Sequence, residues 1–207
     1  METVAIRTGL HHFDHSIFGA TSDLIEETAR RDRGTLMFAC SEQGVAPGNV
    51  SFANPESFVI LQHLGACVAS KTECEKYPDL SLGEVEKLFG KYDFRHVIVC
   101  GHFGCGVIRT WLQPSNNGNT DSGGFRVRFE NGTRDLVDDN YSPGSADERC
   151  RLMVCEHVLC QIENLLTHPF IKERAIAEET WFHGWVVDDE TARVYGYCPQ
   201  ESLFRPI

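Results

Sequence analysis

A chain of 207 residues is long enough to bury one substantial hydrophobic core. Its formal charge of −11, with no lysine–arginine cluster, argues against nucleic acid and anionic membrane surfaces as partners. Nine cysteines, an odd number set in apolar runs with no secretory leader ahead of them, predict reduced thiols in a cytoplasmic compartment, and no apolar run reaches the length of a membrane span.

Residues 1–19 keep no clean period and read as an N-terminal arm, in which His11, His12 and His15 are expected as surface side chains rather than as a metal cluster. Helical spacing begins at residue 21 and runs to 31, with Thr21 or Ser22 as a candidate N-cap and Leu24 and Ile25 turned inward. Gly34 releases the chain into a first apolar strand, residues 36–40. A loop over 45–54 precedes a second strand, 58–61.

Ser81 and Glu84 have the spacing of a capping box and open a helix that buries Val85, Leu88 and Phe89. A third strand follows, then a short helix through Trp111. Residues 114–124 (PSNNGNTDSGG) read as a flexible surface loop inside the domain, not as a linker. Ser145 and Glu148 repeat the capping-box spacing ahead of Leu152, Cys155, Leu159, Ile162 and Leu166 at helical intervals, until Pro169 ends the run. Cys155 and Cys160 are therefore read as core cysteines. A further helix covers 171–179, and two strands, 181–187 and 191–196, flank the acidic turn Asp188, Asp189, Glu190. Strands separated by helices predict a single α/β domain over 1–207. Its central sheet is expected to be mostly parallel, with four parallel strands plus an antiparallel edge strand, flanked by helices.

The chemistry concentrates at residues 96–106 (HVIVCGHFGCG). An apolar run, Val97 to Val99, ends in a turn carrying His102 and Cys105 among glycines, the pattern of a buried parallel strand delivering side chains at its carboxyl end. With two residues between them, His102 and Cys105 let one loop offer an imidazole and a thiolate to one metal. Cys40, closing the run that starts at Leu36, supplies a third donor from another strand end. Cys40, His102 and Cys105 make a Cys₂His set of the kind zinc uses when it keeps a fourth position open. Taken singly, each could be an ordinary buried residue.

Cys40-Ser41, followed by Cys100-Gly-His-Phe-Gly-Cys-Gly106, resembles the β-class carbonic anhydrases, which place one Cys after a first strand and His-x-x-Cys after a third. The likeness continues through residues 54–60, 156–169, 183–187 and 193–196, and residues 133–142 are similar to the branch that contains cyanobacterial carboxysomal enzymes. The resemblance implies a Zn²⁺ cofactor on Cys40, His102 and Cys105, with CO₂ and bicarbonate as reactants. It also implies a homodimer or dimer-based oligomer whose N-terminal helical arm crosses its partner. A carboxysome-type assembly partner is a weaker implication, because the C-terminal extension of the carboxysomal relatives has no counterpart here; the expectation is cytoplasmic.

The family further uses an Asp two residues after the first Cys to accept a hydrogen bond from the metal's activated water. An Arg two residues later holds that Asp off the metal. Here those positions are Glu42 and Gly44. The family's Gln-x-Pro before the first strand falls on Arg31, Asp32 and Arg33, and its Arg-Asn after the second strand falls where Gln62 and His63 stand. Retained ligands with an altered surround predict a zinc-binding homologue that is silent or slow in CO₂ hydration, with Glu42 as fourth ligand or as the water's partner. The alternative is an active carbonic anhydrase with Glu42 in the Asp role, and a third reading is hydrolysis of a CO₂ analogue such as carbonyl sulfide. Arg126, Arg128 and Arg134 are read as solvated charges balancing Glu130 and Asp135, not as replacement clamps for Glu42.

Overall fold

Apolar runs rich in Val, Ile and Phe become strands of one mixed sheet in the computed structural model, which describes residues 5–29, 34–42, 55–113 and 129–207. In chain order the strands are β1 (Ile6–Arg7), β2 (Gly34–Cys40), β3 (Phe58–His63), β4 (Phe94–His102), β5 (Trp181–Val187), β6 (Val194–Cys198) and β7 (Leu203–Pro206). They lie side by side as β1-β7-β6-β5-β4-β2-β3. The four parallel strands are β3, β2, β4 and β5, as the alternation of strand and helix predicts. The antiparallel side is deeper than a single edge strand: β6, β7 and β1 follow one another there. After β6 the chain doubles back to pair residues 203–206 with it, and residues 6–7 then pair with those.

The helices are α1 (Thr21–Thr28), α2 (Lys71–Lys76), α3 (Gly83–Lys91), α4 (Gly106–Leu112), α5 (Asp135–Asn140), α6 (Ala146–Leu166) and α7 (Pro169–Ile176). Alternate residues of β2 serve two cores, which is why the strand reads as a continuous apolar run. Leu36, Phe38 and Cys40 join Val97, Val99 and the α6 residues Val154, Val158 and Leu159. Met37 and Ala39 join Ile98, Cys100 and Trp185 beneath Leu24 of α1. Helix α6 presses so closely on the sheet that a Cβ at Gly101 would lie 2.9 Å from Val158. Among the described residues no helix is long and apolar enough to cross a membrane.

Several helix starts differ from expectation for local reasons. Ala20 is the N-cap of α1, so Thr21 and Ser22 are already helical, and Ile25 turns outward at 37% exposure. Ser81 makes no capping box: it ends the preceding 3-10 turn Pro78–Leu80 by donating its N–H to Pro78, and α3 starts one residue later behind Leu82. A complete box forms instead at Ser70 and Glu73, opening α2. Ser145 caps α6 through the Glu148 N–H, while the Glu148 carboxylate turns back to the Gly144 N–H. Pro169 is not only a stop, because it also opens α7 at the position where a missing N–H costs nothing.

The arm also differs. Its described part holds β1 and the 3-10 turn His15–Ile17, with no α-helix, and it is stitched to its own chain. Thr8 N–H donates to Ser202 and Gly9 N–H to the Tyr141 hydroxyl. His12 and His15 are exposed as expected, but His11 is buried, with Nε2 2.8 Å from Glu156 and Nδ1 2.9 Å from Glu163. Burial would lower the His11 pKa, but hydrogen bonds with Cys160, Glu156 and Glu163 raise it to about 12. Glu156 is fully buried in α6 and takes its cation from this arm. His11→Ala is thus expected to destabilise the fold by about 3–5 kcal/mol near pH 6 by removing that carboxylate's cation and leaving it only the hydrogen bond from the Tyr141 hydroxyl. A folded-state pKa above the unfolded value of about 6.5 means the stabilisation is complete below that pH and fades as pH climbs toward the folded pKa. The gap between parent and variant in urea unfolding should therefore shrink between about pH 6 and about pH 10.

Candidate metal centre

The pairing of β2 with β4 and of β4 with β5 brings the candidate site together. Ala39 is opposite Cys100 and His102 is opposite Val187, so the ends of β2 and β4 lie side by side and the turn after β5 reaches over them. Cys40 closes β2, His102 closes β4, and Cys105 is the N-cap residue of α4. The Cys40 and Cys105 sulfurs are 3.8 Å apart. Tetrahedral zinc with Zn–S bonds of about 2.3 Å sets two sulfurs about 3.8 Å apart. His102 is buried and its Nε2 has no hydrogen-bond partner, while Nδ1 sits 2.7 Å from Asp189 Oδ2. A buried nitrogen left this way is costly unless its lone pair meets a cation.

The Glu42 carboxylate completes the cluster. Its Oε2 accepts from the N–H groups of Gly106 (2.6 Å) and Val107 (3.2 Å) at the start of α4, and lies 4.0 Å from His102 Nε2. A methyl group at Gly106 would collide with this carboxylate. One donor atom from each of Cys40, Glu42, His102 and Cys105 falls within 4.8 Å of the others. Among the described residues no other group of His, Cys, Asp and Glu meets that test.

A family model described as carbonic anhydrase matches residues 35–194. This chain belongs to the β-carbonic anhydrase family. A carbonic anhydrase of Synechococcus elongatus is 27% identical over 188 residues, covering 90% of this chain and 68% of that protein. One from Helicobacter pylori is 24% identical, covering 96% and 92%. Among solved structures, the β-carbonic anhydrase CcaA shares the fold at a TM-score of 0.71 with 24% identity, over 90% of each chain. A tetrameric β-carbonic anhydrase of Sordaria macrospora does so at 0.65, with 15% identity over 84% of each.

Within this carbonic anhydrase fold the two cysteines are not equivalent. The two sulfurs lie within hydrogen-bonding reach of each other, and the backbone N–H groups of Glu42 and Gly65 point at the Cys40 sulfur. Cys40 is thereby pulled down to about 4, whereas the same interaction and burial push Cys105 well up. Burial would lower the His102 pKa, but the neighbouring Cys40 and Asp189 raise it. Gly65 reaches this position with φ +63°, and its carbonyl accepts from His157 Nε2 at 2.9 Å.

Other positions flagged by the sequence fall elsewhere. Gln62 and His63 are exposed at the end of β3. Arg134 pairs with its neighbour Asp135 at 3.2 Å, as a solvated charge would. Gly44, residues 31–33, Arg126, Arg128 and the loop 114–124 lie outside the described residues. Asp189 and the α4 amides that hold Glu42 are the two features the sequence did not reveal. An acidic turn after a β-strand marks a turn, and only the strand register aims one of its carboxylates at His102.

Proposed function

We propose that this chain is a zinc-binding β-carbonic anhydrase homologue whose metal site closes on Glu42, leaving CO₂ hydration slow or silent at neutral pH. The observation that carries this reading is the convergence of the Cys40, His102 and Cys105 donors with a carboxylate from Glu42. The donors fit zinc: two sulfurs at a tetrahedral edge and a buried imidazole nitrogen lacking a partner. When bound with an open fourth position, zinc supplies a water of lowered pKa as the nucleophile for CO₂. Glu42 in that position excludes the water. Resemblance assigns the release of this carboxylate to an Arg, and position 44 is Gly. A carboxylate has two oxygens, so Glu42 can keep its bonds to Gly106 and Val107 through one and offer the other.

Those same bonds favour a second reading, an active anhydrase in which the α4 amides hold Glu42 aside as a guanidinium would. A crystal structure of the zinc-loaded protein separates the two. A Glu42 oxygen at about 2.0–2.2 Å from one zinc per chain is expected. A water in that position, with Glu42 still on Gly106 and Val107, would sink the closed-site reading.

The tetrameric relative and the family resemblance support a homodimer or dimer-based oligomer, in a reducing, cytoplasm-type compartment that suits nine free thiols. Light scattering is expected to give at least twice the chain mass, and a monomer at micromolar concentration would refute the assembly.

A further inference from the structure

His102 is the one imidazole of the candidate centre, and a histidine offers a metal only one of its two nitrogens. Which one is free depends on what holds the other. Nδ1 of His102 lies 2.7 Å from Asp189 Oδ2, so the ring carries its proton on Nδ1, donates it to the carboxylate and leaves the Nε2 lone pair toward the sulfurs of Cys40 and Cys105.

The turn that carries Asp189 is built to place it. Asp188 N–H donates to the Arg193 carbonyl, and the Asp188 carbonyl accepts from Ala192. The Asp188 side chain accepts from the N–H groups of Glu190 (3.0 Å) and Thr191 (3.3 Å). Phe103 N–H donates to the Val187 carbonyl at 2.9 Å, tying the loop after β4 to the strand that launches the turn. Gly104 completes the fit, since a methyl group there would collide with the Asp189 carboxylate. Of two adjacent aspartates, Asp188 shapes the turn and Asp189 faces the imidazole.

The geometry points to Asp189 as a positioning residue that fixes the tautomer and ring orientation of His102 and so sets how tightly the centre holds zinc. A carboxylate behind a metal-bound histidine raises the ligand's basicity, and losing such a partner typically costs about 10–100-fold in metal affinity. The inference rests on the metal-site reading above.

The test is zinc affinity, measured by competition with a chromophoric chelator from the loaded protein, beside the visible spectrum of the cobalt-loaded form. Asp189→Ala should weaken zinc by about 10–100-fold and alter the cobalt bands. Asp189→Asn should retain most of the affinity, because its amide oxygen accepts the same Nδ1 proton. An ion pair that merely holds the fold would lose as much in Asn as in Ala. Gly104→Ala should repeat the Asp189→Ala loss by displacing the carboxylate, while Glu190→Ala on the same turn should match the parent. Asp189→Ala within about threefold of the parent, or Glu190→Ala weakened equally, would overturn the positioning role. A parent that takes up no zinc would overturn the metal site itself, so the two failures are distinct.

Discussion

Cys40→Ser and His102→Ala are expected to lose zinc and stability together. Both side chains are nearly fully buried where two central parallel strands end, so the metal they hold would pin β2 to β4 at the mouth of the sheet. Zinc bound through thiolates and imidazole contributes on the order of 10–16 kcal/mol in small metal-dependent folds, where binding and folding are one event. A β-carbonic anhydrase fold of this size has a core of its own, so the loss should be a fraction of that, about 3–5 kcal/mol. His102→Ala also leaves the Asp189 carboxylate without its imidazole. Zinc content by mass spectrometry and thermal unfolding of the same samples check the pair of effects. Variants that keep one zinc per chain would show that the ligands lie elsewhere.

Restoring the family's Asp and Arg should produce the largest change in rate. The double variant Glu42→Asp with Gly44→Arg is expected to raise CO₂ hydration at pH 7 at least 10–100-fold over the parent, the size of effect that partners of a metal site commonly carry. The reason is electrostatic. A guanidinium gives the carboxylate a charged, bidentate alternative to the metal, which neutral backbone N–H groups at Gly106 and Val107 match less well. Glu42→Ala alone opens the fourth position but removes the acceptor, so it should gain less than the double variant. Raising the parent from about pH 7 to about pH 9 should also help little, because no guanidinium at position 44 is there to recapture the carboxylate. Stopped-flow rates on zinc-saturated proteins test all of these. A double variant no faster than the parent would mean that Glu42 is not what limits the site.

The parts of the fold that the sequence made legible are those where burial alone dictates residue type. β2 and β4 are buried on both faces, so they appear as unbroken apolar runs ending in Cys40 and His102. β7 and β1 carry no such signal, since Leu203–Pro206 ends in a proline and β1 has two residues; both exist because the sheet offers them an edge. The spacing of Ser81 and Glu84 is identical to that of Ser70 and Glu73, yet the 3-10 turn at Pro78 claims Ser81 first. His11 reads as a surface residue in its own neighbourhood because the glutamates that bury it belong to α6. The donor trio needed only strand ends to be found. Asp189 and the Glu42–α4 contact needed the register of β4 with β5 and the course of the loop after His102, which no local pattern encodes.

A zinc site complete in its protein ligands would be closed to CO₂ chemistry, so the decisive measurement is the CO₂ hydration rate at pH 7 with zinc counted on the same sample. One zinc per chain with a rate close to that of buffer alone is the expected result. One zinc per chain with strong hydration at pH 7 would contradict it, and would place Glu42 beside an activated water instead of on the metal.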